Sequence, residues 1–225
     1  MRARGDLEVL SEPFSVPYYL GATPVSGRFA GTGAPPAEEE WSKVVREIKA
    51  AAARGPVFVK DMAYHAAPCL GPALVHGFRN TFIVRHPGRS LRSLKRFFPD
   101  FTAEEAGFEQ QHRLMQLVAG SCSGELVVID GDDLRRAPAA VVEDYCRRVG
   151  LPPVPESLSW EPGLLSDWQP WQEWHGEVAA SSGIRPPGDE PEPGAPEGVD
   201  RDLYRSCLGH YEQMLALGGM GRPAV

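Results

Sequence analysis

The chain has 225 residues, a formal net charge of -7, 42% apolar residues and 24% charged residues. These proportions exclude a fibrous or globally disordered protein, and the length predicts one large domain with a substantial core. The acidic balance argues against a general nucleic-acid-binding protein, which owes its affinity to excess Lys and Arg, and a small anionic ligand fits better.

The cellular compartment is predicted from the cysteines and from hydrophobicity. The four cysteines, at positions 69, 122, 146 and 207, have no metal-ligand spacing, so we expect reduced thiols and no metal site. The first six residues are polar and no segment approaches eighteen continuous apolar residues, so we expect neither a signal peptide nor a membrane contact. These features predict a cytoplasmic protein, and they leave open whether it is a monomer or a homodimer.

The first part of the chain alternates strands and helices. A short strand is predicted over residues 6–14, and a loop rich in Gly and Pro over residues 18–36. A helix over residues 38–54 has apolar residues at helical spacing, and a buried strand then starts at Val57 and ends at Lys60-Asp61.

The alternation continues with strands over residues 81–84 and 126–129. Helices are predicted over residues 73–78, 104–119 and 139–149, and within the second of these Glu109 and His112 are expected on a solvated face. Strands that are apolar on both faces and separated by helices predict an α/β fold with a parallel sheet flanked by helices. Ligands of such folds bind beyond the carboxyl ends of the strands, where Lys60, Arg85 and Asp130 fall.

The pattern changes after residue 160. Four Trp residues occur within fifteen residues from Trp160, residues 186–196 are rich in Pro, Gly and Glu, and a helix is predicted over residues 201–217. We therefore predict an α/β core over residues 1–160. Residues 161–225 form an irregular region with a Trp-rich segment, a disordered linker and a C-terminal helix packed on the core.

A cluster of cations marks the junction after the strand at residues 81–84. Six Lys or Arg residues and no carboxylate lie between Arg79 and Arg96. Free backbone N–H groups and the helix dipole favour negative charge at such a junction, so this segment is a candidate phosphate site. The alternative is a solvated basic helix face.

Three segments, in order, resemble the core of the sulfotransferase family. They are VFVKDM at residues 57–62, FIVRHPGRSLRS at residues 82–93 and LVVIDGDDLRRAP at residues 126–138, and the resemblance covers residues 6–152. It implies a P-loop-like sulfotransferase fold and transfer of a sulfuryl group from 3′-phosphoadenosine 5′-phosphosulfate to a hydroxyl or amine of a small molecule. The family's N-terminal strand, phosphosulfate-binding loop and helix have no counterpart in these 225 residues. A late start codon, a truncation and a change of function remain open as explanations.

The resemblance also implies roles for individual residues. Arg85 and Ser93 match the residues that hold the 3′-phosphate, and Arg89 and Arg92 would add to the positive field. Lys60 matches the family's cation near the sulfuryl group, where it would stabilise charge on the departing oxygen. The family's catalytic His falls at a position that Met62 occupies here, so His65 and Asp61 are the alternative candidates for the base. A solvated loop histidine is the competing interpretation of His65.

Further residues concern the acceptor and the last strand. Trp174 and His175 are the candidates for acceptor binding, although packing explains them equally well. Asp130 and the acids that follow it are expected to cap the next segment and not to bind a metal. An enzyme is favoured, and the alternative is a degenerate or repurposed fold that binds a nucleotide or anion, acts as a scaffold or catalyses a different biosynthetic reaction.

Overall fold

The chain forms four parallel strands with helices around them in the computed structural model, which describes residues 1–21, 24–29, 41–69, 71, 75–121, 125–165, 168, 175–188 and 193–219. Within these ranges the strands are β1 (Glu8–Ser11), β2 (Val57–Lys60), β3 (Thr81–Val84) and β4 (Val127–Asp130). Residues 73–74 of the predicted 73–78 helix, and residues 22–23 and 30–36 of the predicted loop, lie outside the described ranges.

The described residues also form ten α-helices, taken here in chain order. They are α1 (Ser15–Leu20), α2 (Trp41–Ala52), α3 (Ala63–Ala66), α4 (Pro87–Phe97), α5 (Ala103–Ala106), α6 (Phe108–Ser121), α7 (Gly131–Arg136), α8 (Pro138–Val149), α9 (Gly176–Ala179) and α10 (Arg201–Leu217). Within the same ranges, no helix is both long enough and apolar enough to cross a membrane.

The strands pair as two parallel ladders. β1 pairs with β2 from Glu8 opposite Val57, and β3 pairs with β4 from Thr81 opposite Val127. Across the described ranges β2 and β3 belong to different sheets, each with two strands. Parallel strands joined through helices confirm the predicted α/β fold.

Each ladder has its own apolar surroundings. A large buried cluster covers β3 and β4 and includes Leu91 of α4, Met115 of α6 and Met214 of α10. A smaller cluster beside β1 and β2 includes Val44 and Ile48 of α2. The C-terminal helix therefore contributes to the core of the second ladder, and the boundary predicted at residue 160 stays a prediction.

Three local predictions differ from the structure. Helix α1 occupies the start of the predicted loop, because Tyr18 and Tyr19 are buried there. The predicted 104–119 helix is divided at Gly107, whose φ of 77° is a left-handed conformation that favours glycine. The predicted disordered linker is wrong at its end, where Gly194 lies against Gly88 in the first turn of α4.

Candidate active site

The carboxyl ends of β1 and β2 bring a carboxylate and an ammonium group together. The Nζ of Lys60 forms an ion pair with Glu12, which directly follows β1; the Lys60 side chain is 48% exposed and that of Glu12 is 11% exposed. Burial pushes the pKa of Glu12 upward, but Lys60, with smaller contributions from His65 and His175, holds it below its usual value. The predicted cation at residue 60 therefore has a carboxylate beside it.

The backbone of Glu12 is in an uncommon conformation. Its φ of 52° is the only positive φ of a non-glycine residue in the described part of the chain. Such a conformation costs roughly 1–3 kcal/mol and persists only where surrounding contacts impose it. Here the Glu12 N–H donates to the Lys60 carbonyl at 2.6 Å. This hydrogen bond and the side-chain ion pair with Lys60 keep Glu12 in its left-handed conformation.

Asp61, directly after β2, is an acceptor for three donors. Its Oδ1 lies 2.8 Å from the Met62 nitrogen and 2.8 Å from His65 Nδ1, while its Oδ2 accepts from the Phe14 N–H at 2.8 Å. Because a carboxylate only accepts, His65 Nδ1 carries the proton, and in the neutral ring Nε2 is the basic nitrogen. Asp61 thus orients the imidazole and links the loop before α1 to the end of β2.

Three tyrosines enclose the His65 ring. The ring centroids of Tyr18, Tyr19 and Tyr64 lie 5.1, 5.3 and 4.5 Å from that of His65. His65 is 1% exposed, and its buried Nε2 has no hydrogen-bond partner within the described ranges. The interpretation of His65 as a solvated loop histidine is therefore wrong. Its role as a base stays a prediction, as does that of Asp61.

Arg85 directly follows β3 and is half-buried. Its Nε atom is inaccessible to solvent. A Cβ at Gly131 would lie 3.6 Å from both Cβ and Cγ of Arg85 and 3.3 Å from the Val84 carbonyl oxygen. The turn after β4 therefore packs against the Arg85 stem at the strand end.

The first turn of α4 is capped by the protein itself. His86 Nδ1 accepts from the Gly88 N–H at 3.1 Å, and burial lowers the pKa of His86, which keeps that nitrogen available as an acceptor. A Cβ at Gly88 would lie 2.5 Å from the Gly194 carbonyl oxygen, so only glycine allows this close approach. The Gly88 amide therefore already donates to an imidazole and is not one of the free N–H groups expected at this junction.

Arg89 and Ser93 lie one turn apart on the same face of α4. The Arg89 Nε donates to Asp132 Oδ2 at 3.1 Å, and their side chains are 15% and 19% exposed. This contact joins α4 to α7, whereas Ser93 is exposed. Binding of a 3′-phosphate by Arg85, Arg89 and Ser93 stays a prediction.

Asp130 has the predicted capping role at the end of β4. Its Oδ1 accepts from the Asp132 N–H at 2.7 Å, and its Oδ2 accepts from the Tyr211 hydroxyl of α10 at 2.7 Å. Burial, followed by the hydrogen bond to Asp130, raises the pKa of Tyr211 above its usual range, so the phenol remains a donor. Within the described ranges no group of three or more His, Cys, Asp or Glu side chains could hold a metal ion.

One of the two residues suggested for acceptor binding can be placed. Trp174 lies outside the described ranges. His175 stacks on Trp168 with ring centroids 4.5 Å apart and planes 18° apart, and its charge contributes to the lowered pKa of Glu12. His175 is therefore close enough to Glu12, the partner of Lys60, to interact with it electrostatically. Its role towards an acceptor stays a prediction.

Two site residues were missed by the sequence analysis. Glu12 could have been noticed, because it is an acidic residue near the end of the first predicted strand, just as Lys60 and Asp61 are charged residues at the end of another. Tyr211 carries no local signal, because its partner Asp130 is 81 residues away in the chain.

A groove separates the two ladders, and we call the space between β2 and β3 the central groove. It consists of two cavities of about 440 and 570 Å³. Phe58, Val59, Asp61 and Thr81 line both of them, and Lys60 lines the first. The strand-end cation therefore borders an open space between the sheets.

The comparisons with known proteins agree with this architecture. A family model described as "Sulfotransferase domain" matches residues 1–218, and the chain belongs to this family. A curated relative from Arabidopsis thaliana, "Branched-chain-amino-acid aminotransferase-like protein 2", is 25% identical over 214 residues. That alignment covers 92% of this chain and 37% of the relative, so the chain spans little more than a third of the relative's length. No solved structure matches the chain.

Proposed function

We propose that the protein transfers a sulfuryl group from 3′-phosphoadenosine 5′-phosphosulfate to a hydroxyl or amine of a small molecule. The observation that carries this proposal is the placement of two cations, Lys60 and Arg85, directly at the ends of β2 and β3. Membership of the sulfotransferase family supports the reaction class. The donor, the acceptor class and the residue roles are parts of the proposal.

In this proposal Arg85 binds the 3′-phosphate of the donor. A guanidinium forms two parallel hydrogen bonds with a phosphate, and the packing of Gly131 on the Arg85 stem reduces the entropy lost on binding. Ser93, exposed on α4, adds a hydroxyl donor. Arg89 contributes less than its charge suggests, because Asp132 already neutralises it.

Lys60 acts on the bond that breaks. The bond between sulfur and the bridging oxygen of the donor breaks, and that oxygen keeps the electron pair as adenosine 3′,5′-bisphosphate leaves. A new bond forms between sulfur and the acceptor oxygen or nitrogen, and the acceptor proton passes to a base. The Lys60 ammonium group stabilises the charge on the departing oxygen once it exchanges Glu12 for the donor.

Three groups are candidates for the base. Asp61 and His65 form a hydrogen-bonded pair, but the tyrosines around His65 must move before an acceptor reaches its Nε2. Glu12 has its pKa held below the usual value, and donor binding at Lys60 would release its carboxylate towards an acceptor. A carboxylate freed in this way could accept the proton directly.

The test uses the complete gene product, labelled donor and a panel of phenols, alcohols and amines. Release of adenosine 3′,5′-bisphosphate is measured for the wild type, Lys60→Met and the control Lys49→Met. Lys49 is exposed on α2 and borders the cavity lined by the amino ends of the strands. We expect Lys60→Met to lower the rate at least about 100-fold and Lys49→Met to leave it unchanged. Absence of both donor binding and release in the wild type would refute the proposal.

A second candidate function is a nucleotide- or anion-binding protein without transfer chemistry. The observation that favours it is the pairing of the site's cations with carboxylates, Lys60 with Glu12 and Arg89 with Asp132. Calorimetry with adenosine 3′,5′-bisphosphate separates the two functions. Binding without release of product from the donor supports this second candidate.

A further inference from the structure

The backbone of Glu12 is fixed on both sides of the residue. Its carbonyl oxygen accepts from the Ser15 N–H at 3.0 Å and from the Ser15 hydroxyl at 2.6 Å, and its own N–H donates to the Lys60 carbonyl oxygen. Ser15 is buried, so this turn belongs to the interior of the molecule. The Glu12 carboxylate is therefore held at the end of β1 even when the Lys60 side chain moves.

The Lys60 ammonium group compensates the charge of Glu12. The Glu12 side chain is 11% exposed and that of Lys60 is 48% exposed, so the cation is the member of the pair that a ligand reaches first. A mostly buried carboxylate that loses its counterion is strongly unfavourable. A ligand that draws Lys60 away therefore leaves Glu12 as a site for another cation or for a proton.

The surroundings of Glu12 suit an organic cation. Burial raises the pKa values of Tyr19 and Tyr64, and the negative charge of Glu12 is a smaller contribution to both increases, so the carboxylate lies near these two phenol rings. His175, which stacks on Trp168, also interacts electrostatically with Glu12. Aromatic rings attract cations through their faces, and proteins bind ammonium groups among such rings.

A second acceptor in this neighbourhood lacks a donor. The Tyr64 ring that lies near Glu12 also packs on His65, with 4.5 Å between the ring centroids. The buried Nε2 of His65 has no hydrogen-bond partner within the described ranges, and it can only accept while Nδ1 donates to Asp61. A ligand at Glu12 thus meets two groups that need N–H or O–H donors, and an ammonium group has three of these whereas a hydroxyl has one.

We propose that the acceptor is a primary amine, and that Glu12 binds its ammonium group once the donor has taken Lys60. This inference rests on the proposed function and narrows its acceptor class to amines. Glu12 takes one proton from the ammonium group, and the free amine forms a bond to sulfur as the bond between sulfur and the bridging oxygen breaks. The bridging oxygen keeps the electron pair. A proton of the sulfated nitrogen then passes to solvent, which leaves a sulfamate.

The test compares two matched probes, 2-phenylethylamine and 2-phenylethanol, which differ only in the group that would meet Glu12. Calorimetry measures their binding to the wild type and to Glu12→Gln, with and without saturating adenosine 3′,5′-bisphosphate. We expect the nucleotide-bound wild type to prefer the amine at least about 10-fold, and Glu12→Gln to show no preference. Equal affinity of the nucleotide-bound wild type for the two probes would overturn the inference, as would absence of amine binding.

Lys60→Met tests the same site without a nucleotide. This variant removes the counterion of Glu12, so it should bind the amine at least about 10-fold more tightly than the free wild type does, and the amine should raise its thermal midpoint. The control is the double variant Lys60→Met with Glu12→Gln, which should lose both effects. An amine that neither binds to Lys60→Met nor stabilises it would overturn the inference.

Failure of this inference can be distinguished from failure of the proposed function. If the wild type binds no nucleotide, the proposed function is refuted, and the result with Lys60→Met alone decides whether Glu12 is an ammonium site. If the wild type releases adenosine 3′,5′-bisphosphate from the donor with alcohols in preference to the matched amines, the proposed function stands and the inference is overturned.

Discussion

The two ladders of the molecule are stabilised by different means. Among the described residues, thirteen buried residues form the cluster around β3 and β4, whereas the clusters beside β1 and β2 contain four and three. The β1–β2 side instead buries a polar set in which Asp61 and His65 form a hydrogen-bonded pair next to Glu12. Lys60, Asp61 and His65 therefore lie on the side of the molecule with the smaller buried apolar clusters.

This difference indicates how each side responds to mutation. On the β1–β2 side a few hydrogen bonds hold the strand ends, so loss of one acceptor leaves several donors without a partner, two of them on the buried residues Phe14 and His65. On the β3–β4 side the strand end is supported by helices from distant parts of the sequence, so Arg85 can be changed with less effect on folding. The following predictions test this contrast.

The largest expected effect is on stability and comes from Asp61→Ala. The substitution leaves the N–H groups of Phe14 and Met62 and the His65 ring without their acceptor, so we expect the free energy of unfolding to fall by about 3 kcal/mol. Urea denaturation measures this change. The control is Asp144→Ala, which removes an exposed ion pair with Arg147 and a 3.8 Å contact with Arg148, a residue that keeps its ion pair with Glu125, and it should cost less than about 0.5 kcal/mol. Equal effects of the two variants would contradict the contrast.

An intermediate effect is expected on ligand binding from Arg85→Ala. Loss of a bidentate guanidinium should weaken binding of adenosine 3′,5′-bisphosphate by about 2 kcal/mol, or roughly 30-fold, in calorimetry. Arg92→Ala removes the same charge from an exposed position of α4 and should change the affinity only a few-fold. If both variants weaken binding equally, the strand-end position of Arg85 has no special importance. Urea denaturation of Arg85→Ala should show little loss of stability.

The smallest expected effect is a pH dependence on the β3–β4 side. His112 is 5% exposed, its Nδ1 lies 3.0 Å from that of His210, and burial, followed by the charge of His210, lowers its pKa. The unfolded chain therefore binds the proton more readily, so this contribution to stability is complete above about pH 6.5 and is lost as the pH falls below that value. The loss is at most about 1.4 kcal/mol per pH unit for one group. Unfolding free energies at pH 7.5 and 5.5 should differ less in His112→Leu than in the wild type, and an unchanged difference would exclude His112 as the cause.

Elements with strong local signals could be predicted from the sequence. β3 was predicted at its observed bounds, because a run of apolar and β-branched residues follows Asn80 and ends before Arg85. α10 was also predicted at its observed bounds from its helical spacing. The break at Gly107 was missed. The sequence does contain a signal for the short helix before it, since Thr102 and Glu105 form a capping box at the start of α5.

Features set by distant contacts could not be predicted. Helix α1 depends on tyrosine packing against Tyr64, and the solvated face expected for His112 is wrong because α10 covers it through His210. The strand-end cations Lys60 and Arg85 were found by position alone, since a residue at the end of an apolar strand is visible in the sequence. The carboxylates that pair with Lys60 and with Arg89 of α4 were not recognised as partners: Glu12 is 48 residues from Lys60, and Asp132 is 43 residues from Arg89.

The hydrogen bond between Tyr211 and Asp130 has a consequence for how the chain is made. Strand β4 ends on a carboxylate whose second oxygen is bonded only after the 17-residue helix α10 has docked. Synthesis on the ribosome proceeds from the amino terminus, so β3 and β4 emerge well before the helix that completes their core. We therefore expect the second ladder to mature only after α10 has left the ribosome, and nascent chains stopped near residue 160 to remain sensitive to protease there.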